Sequence, residues 1–126
     1  MARVEITKSR GPEAIESWNG PSSTTPGENY GPIVNVGNYT LHSYQVINEG
    51  SGITFNILGS NYTKPNGEPS QDFDKHWTVI SSHSVAVGSS SNPTSIAYSD
   101  TWNFKFSSIL IQGSSTQVKV LEKHNP

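Results

Sequence analysis

The residues best suited to chemistry in this chain are its four histidines. His42, His76, His83 and His124 are spread along the sequence, and no two stand at the close spacing that presents two ligands to one zinc ion. There is no cysteine to complete such a site. We therefore expect no bound metal ion and no cofactor, with His42 and His83 as outward-facing strand residues.

A short run of carboxylates is the second feature with chemical potential. Glu68, Asp72 and Asp74 lie in one polar stretch. Such a group is compatible with a calcium loop or with the carboxylate pair of a glycoside hydrolase. Lys75 follows directly, which is more typical of a solvated acidic loop. The serines stand in no G-x-S-x-G pattern. We therefore expect a protein with no catalytic residues, and not an enzyme.

Charge and composition exclude several classes of partner. The 126 residues suit a single domain, and their net charge of −2 offers no basic surface for nucleic acid. No stretch approaches the roughly 20 apolar residues of a membrane span. The first residues carry charges where a signal peptide needs an apolar run. We expect neither nucleic acid nor membrane as a partner, and synthesis in a cytoplasm.

The elements that position these residues follow a period of two. Ile53, Phe55 and Ile57 alternate with Thr54 and Asn56, as in a half-buried β-strand. Similar short segments recur between turns rich in Ser, Asn, Gly and Pro, and no long helical period is present. This pattern predicts an all-β fold, a single antiparallel β-sandwich or jelly roll of seven or eight strands.

The first 32 residues differ from the remainder because four prolines and four glycines interrupt them. We predict an extended N-terminal arm over residues 1–32 and a β-sandwich domain over residues 33–126. Within the arm we expect helix limited to about one turn, near Glu13 to Trp18.

Large apolar residues at alternate positions define the expected core. It comprises Phe55, Ile57, Trp77, Val79, Trp102, Phe104, Phe106, Ile109, Ile111, Val118 and Val120. Between Tyr39 and Val46 the large residues move from odd to even positions, which predicts a β-bulge near His42 and Ser43. The last three residues, 124–126, are expected to fray.

Exposed aromatic residues are the expected means of binding a partner. The loop between Asn61 and Lys75 is long, and long loops are often functional. The residues predicted to bind a partner lie in this loop and in the arm, and they are Ile15, Trp18, Tyr30, Tyr62 and Phe73. Aromatic side chains beside Asn and Asp suit both carbohydrate and protein partners, and composition does not separate the two.

Four segments together resemble a known family. They are Thr54–Asn61, Trp77–Ile80, Trp102–Ile111 and Val118–Glu122. Their order resembles that of small β-sandwich structural proteins from the virion gene clusters of tailed bacteriophages. The likeness covers about residues 38–123 and is shared in part with discoidin-like sugar-binding domains.

The resemblance implies a non-enzymatic virion component. The expected function is capsid decoration, in which a cement protein binds the lattice of the major capsid protein on the capsid surface after synthesis in the host cytoplasm. Self-association as a dimer or trimer is compatible with this function. The alternatives are a carbohydrate- or receptor-binding module of a fibre or spike, and a head–tail connector or tail component.

Overall fold

The computed structural model describes residues 28–115 and 117–126 in full, together with the backbone of residues 3–9 and 13–17. These residues form ten β-strands and no helix: β1 (Arg3–Ser9), β2 (Glu13–Ser17), β3 (Glu28–Tyr30), β4 (Val34–Asn35), β5 (Leu41–Asn48), β6 (Ile53–Ser60), β7 (Thr78–Val85), β8 (Thr94–Thr101), β9 (Phe106–Gly113) and β10 (Gln117–Asn125). This part of the chain accordingly has no helix long and apolar enough to cross a membrane.

The strands form two sheets that pack as a sandwich. The first, sheet A, has the order β2-β1-β10-β5-β8. The second, sheet B, has the order β3-β9-β6-β7, and β4 pairs with the same edge of β9 as β3. Strands β1 and β10 run parallel, while the other pairings are antiparallel. The prediction of an all-β sandwich is confirmed.

The core lies between the two sheets, where alternate side chains point inward. Its buried members are Tyr44, Val46, Ile53, Phe55, Ile57, Val85, Ile109, Ile111, Val118 and Val120. Six of the residues predicted from alternation belong to this cluster, and a seventh, Phe106, is also buried. Strand β9 lies between β6 and the short strands β3 and β4, so both of its edges are paired. Its residues 106–111 are buried on both faces, in agreement with the continuous apolar run over residues 109–111.

The prediction was wrong for Trp77, Val79 and Phe104, since Val79 is 56% exposed and the other two are half-buried outside the core cluster. Trp102 is also half-buried, but it packs against the core cluster. In the pairing of β6 with β7, Ile57 faces Ser81 and Leu58 faces Val79, so Ile80 is an extra residue. This bulge turns Val79 out of the core. Residues 102–104 lie before β9 in a segment without strand pairing, so their alternation does not place them in a sheet.

Strand β5 contradicts two further predictions. It pairs with β10 in continuous register from Leu41 to Asn48, without the bulge expected near His42 and Ser43. Leu41 lies on the outer face and is 42% exposed, whereas His42 is fully buried.

The prediction that the last residues fray is also wrong, because β10 extends to Asn125 and His124 is 1% exposed.

The helical turn expected from Glu13 to Trp18 is also wrong, because residues 13–17 form strand β2, paired with β1. The predicted division between an arm at 1–32 and a domain from 33 stays a prediction. Strand β3, which falls before that division, pairs with β9, and the backbone N–H of Gly31 donates to the carbonyl of Ile109 over 2.8 Å.

Gly88 provides a stability test of the connection between β7 and β8. A Cβ atom there would lie 2.7 Å from the backbone nitrogen of Thr94 and would also overlap the carbonyl oxygen of Asn48. Both obstacles are backbone atoms, so Gly88→Ala is expected to lower the free energy of unfolding by about 1–3 kcal/mol. Chemical denaturation measures the loss. Gly52→Ala is the control, because its Cβ would meet only ordinary contacts at 3.6 Å or more.

Candidate contact surface

The segment between β6 and β7, residues 61–77, is built from turns rather than strands, and we call it the contact loop. Thr63 and Pro69 form an isolated bridge, and within it the N–H of Lys64 donates to the carbonyl of Glu68 over 2.8 Å. A second turn follows, in which the N–H of His76 donates to the carbonyl of Asp72 over 3.1 Å. The loop is therefore held by its own backbone hydrogen bonds.

Two buried serine hydroxyls fix this loop from inside. The Oγ atom of Ser70 lies 2.6 Å from Nδ1 of His76 and accepts the N–H of Asp72 over 3.0 Å. The Oγ atom of Ser60 donates to the carbonyl of His76 over 2.6 Å and accepts the N–H of Tyr62. His76 is thus bound at both its ring and its backbone.

The Ser70–His76 distance is also that of a nucleophile and its general base. Ser70 is only 4% exposed, however, and its oxygen already accepts a backbone N–H from Asp72. Its carbonyl in turn accepts the indole N–H of Trp77 over 2.9 Å. These contacts give Ser70 a structural use, which is to position the two aromatic rings.

Five aromatic side chains form two stacks on this part of the surface. We call them the loop aromatic cluster: Tyr30, Tyr62, Phe73, His76 and Trp77. The rings of Tyr30 and Phe73 stack at 4.2 Å with an angle of 10°, and Phe73 contacts Trp77 at 5.0 Å. The ring of Tyr62 lies parallel to that of His76 at 3.8 Å. The first stack joins the loop to strand β3.

Acidic residues lie beside the first stack. Burial raises the pKa of the Tyr30 phenol, and the negative charges of Glu28 and Asp74 raise it further. Tyr30 therefore remains neutral at physiological pH. Its ring is presented beside these carboxylates, which suits a partner surface that is apolar at its centre and basic around it.

The carboxylate of Asp72 has a structural use in the contact loop. The carboxylate of Asp72 accepts the backbone N–H of Lys75 over 3.2 Å, which fixes the turn. In residues 28–115 and 117–126, no three His, Asp or Glu side chains are grouped so that they would hold a metal ion.

The structure brings together only some of the residues predicted to bind a partner. Tyr30 and Phe73 are in direct contact, and Tyr62 lies in the second stack. Ile15 belongs to β2, where only the backbone is described, and Trp18 lies outside the described residues.

Two members of the cluster were not identified from the sequence. Trp77 was assigned to the core, and His76 was considered as one of four dispersed histidines. The signal available in the sequence was their position next to Phe73, at the end of a long polar loop.

A second group of chemically capable residues lies inside the sandwich. Nδ1 of His42 is 2.7 Å from Nδ1 of His124, and Nε2 of His124 is 3.3 Å from a carboxylate oxygen of Glu122. All three side chains are at most 4% exposed. The prediction of an outward His42 is therefore wrong. His83 also faces the interior, where its ring lies 4.4 Å from that of Tyr98.

Comparison of the chain with protein-family models, with characterised proteins and with solved structures found no match.

Proposed function

We propose that the protein is a non-enzymatic structural component of a bacteriophage virion, a capsid decoration protein that binds the lattice of the major capsid protein. The observation that carries the proposal is the group of three rings on the β-sandwich in which Tyr30 stacks on Phe73, and Phe73 contacts Trp77 at a tilt. The resemblance of the strand segments to small phage virion proteins supports the choice of partner.

The geometry of the cluster favours binding to another protein. Aromatic side chains dominate the energetics of protein interfaces because they bury a large area with few rotatable bonds. Here the hydrogen bond from Trp77 to Ser70 and the stack of Phe73 on Tyr30 hold the rings before a partner arrives. Less side-chain freedom is then lost on binding, which raises affinity.

A capsid lattice would amplify such a contact. The lattice repeats the same surface many times, and self-association of the decoration protein would add avidity without new contacts in each copy.

The predicted contribution of the N-terminal residues Ile15 and Trp18 to binding remains part of the proposal. Trp18→Ala is expected to weaken binding in the assay below.

The test is co-sedimentation with capsids that lack the protein. Phe73→Ala removes the central ring of the stack, and we expect its dissociation constant to rise about tenfold or more, as for a residue that contributes over 1 kcal/mol. The control is Val79→Ala, which removes an exposed apolar side chain outside the cluster. Equal occupancy by both variants at limiting concentration would contradict the proposed contact surface.

A carbohydrate-binding function is the second candidate, and one observation favours it. Tyr62 is 44% exposed and lies flat on His76, so one face of its ring is available to stack on a sugar. Binding of soluble glycans that Tyr62→Ala abolishes, without binding to capsids, would replace the decoration proposal.

A further inference from the structure

The buried side chains of His42, His124 and Glu122 contact one another in a row, the His42–His124–Glu122 chain. The geometry of these contacts determines how many protons the three side chains hold. Nε2 of His42 lies 3.0 Å from the carbonyl oxygen of Trp102, which can only accept. Nε2 therefore carries a proton and donates a hydrogen bond to that carbonyl. If His42 is neutral, its Nδ1 carries a lone pair and must accept a hydrogen bond from the N–H at Nδ1 of His124, 2.7 Å away.

The same reasoning extends to the carboxylate. With Nδ1 of His124 donating, one further proton lies between its Nε2 and Glu122, 3.3 Å apart. His42, His124 and Glu122 then hold three protons in all, whether the last proton resides on the imidazole of His124 or on the carboxyl group. If the proton between the two Nδ1 atoms resides on His42 instead of His124, the hydrogen bond between the imidazoles is reversed. The three side chains then hold the same total of three protons.

A fourth proton breaks the contact between the two Nδ1 atoms when it resides on the imidazoles, because both Nδ1 atoms then carry hydrogen and face one another over 2.7 Å. The contact of His124 with Glu122 survives only if a proton on that carboxyl group lies on the oxygen that does not face Nε2. With only two protons, two lone pairs face one another at one of these places. Because the side chains are buried, water cannot replace the lost hydrogen bond, and the cost is that of an unsatisfied buried polar group.

We propose that the His42–His124–Glu122 chain is an acid-sensitive latch, which holds the end of β10 against β5 and the segment 102–105, and which opens when it takes up a further proton. Trp102 is the link to that segment, because its ring stacks on His42 at 3.5 Å and its carbonyl accepts from the same imidazole.

The groups around the latch do not replace it as the acid sensor. Tyr44 of β5 packs edge-on to His124 at 5.9 Å, and burial raises its pKa well above the ordinary value, so it remains neutral. Asp100 of β8 is the register partner of His42 and accepts from the hydroxyl of Tyr98, which lowers the pKa of its carboxyl group. It stays charged while histidine titrates. In β1, Lys8 is the register partner of Glu122.

The direction of the pH effect follows from the burial of His42. Burial lowers the pKa of His42 below its ordinary value of 6.5 and outweighs the hydrogen bond to the carbonyl of Trp102, which raises it, while His124 lowers it further. The unfolded chain then binds more protons than the folded one. The stabilisation is complete above about pH 6.5 and is lost as the pH falls toward the lowered value.

Opening of the latch would reach the contact loop, and this part of the inference rests on the proposed function. The backbone N–H of Lys105 donates to Asn61 and its ammonium group donates to Thr63, each over 2.9 Å. These two bonds join segment 102–105 to the start of the contact loop. Release of Trp102 at acidic pH is therefore expected to loosen the loop and weaken binding to capsids.

The latch itself is tested on the isolated protein, so its failure and that of the proposed function are distinguishable. Melting temperature is measured from pH 7 to pH 5 for the wild type, for His42→Gln and for His124→Gln, whose amides cannot titrate. We expect the wild type to lose of the order of 5 °C more than either variant. The control His83→Gln, which lies on β7 outside both the latch and the contact loop, should lose as much as the wild type. Equal losses in all four proteins would overturn the proposal.

A second measurement covers the case in which the glutamine variants do not fold. In the wild-type protein labelled with nitrogen-15, a hydrogen bond between two Nδ1 atoms produces a scalar coupling between them in the NMR spectrum. We expect this coupling between His42 and His124 at pH 7 and its disappearance at pH 5. Its absence at pH 7, or its persistence at pH 5, would refute the latch.

Discussion

Phe55→Ala is expected to lower the free energy of unfolding by about 3–5 kcal/mol, the usual cost of truncating a buried phenylalanine. Phe55 is fully buried in β6, which lies between β9 and β7, and its ring is 5.8 Å from that of Tyr44 on the opposite sheet. The substitution leaves a cavity between the two sheets that neighbouring β-strands are too rigid to fill. Urea denaturation measures the loss.

The matched control is Leu41→Ala, which truncates an apolar side chain on the outer face of β5. Leu41 is 42% exposed, so its loss is expected to change stability by about 0.5 kcal/mol or less. If Phe55→Ala cost no more than this control, the arrangement of the two sheets around Phe55 would be wrong.

Asn48→Asp is expected to cost about 3 kcal/mol or more although the two side chains have nearly the same shape. Asn48 is fully buried at the end of β5. Its amide nitrogen donates to the carbonyls of Ser51 and Ala86, over 2.8 and 3.0 Å. Its oxygen accepts the N–H of Gly50 and the hydroxyl of Ser115. The amide therefore joins the β5–β6 turn to the segments after β7 and before β10.

Aspartate cannot donate where the amide does. Two buried carbonyls would lose their donor and face a carboxylate oxygen, and an ionised group would be buried without a counter-charge. The control is Asn38→Asp, an exposed turn position where the same change should leave the melting temperature nearly constant. A small effect at Asn48 would mean that these four hydrogen bonds do not form in solution.

Alternation of apolar and polar residues was sufficient to predict much of the sandwich. Ile53, Phe55 and Ile57 are inward, as are Val118 and Val120, because a strand with one face in the core must bury every second side chain. The same rule was wrong at Val79, where the bulge at Ile80 changes which face is buried. A bulge depends on the pairing of two strands, which the period of one strand does not contain.

The candidate contact surface could be predicted only in part. The long polar loop and its aromatic residues Tyr62 and Phe73 are visible in the sequence, since turn-forming residues surround them. The stack of Phe73 on Tyr30 is not, because it depends on β3 pairing with β9 and on the fold of the loop between Ser70 and Trp77.

Composition and periodicity by themselves determined that this chain is all-β, because they decide which side chains must leave water. Only the tertiary structure decided which polar groups are buried together with those apolar side chains. Hydropathy assigns His42 and His124 to the surface, yet they meet in the interior across 82 residues of sequence. Each imidazole is stable there because the other satisfies its Nδ1 atom, and this requires β10 to lie beside β5. The order of strands in a sheet is set by packing of the whole chain, and no local pattern of residues records it.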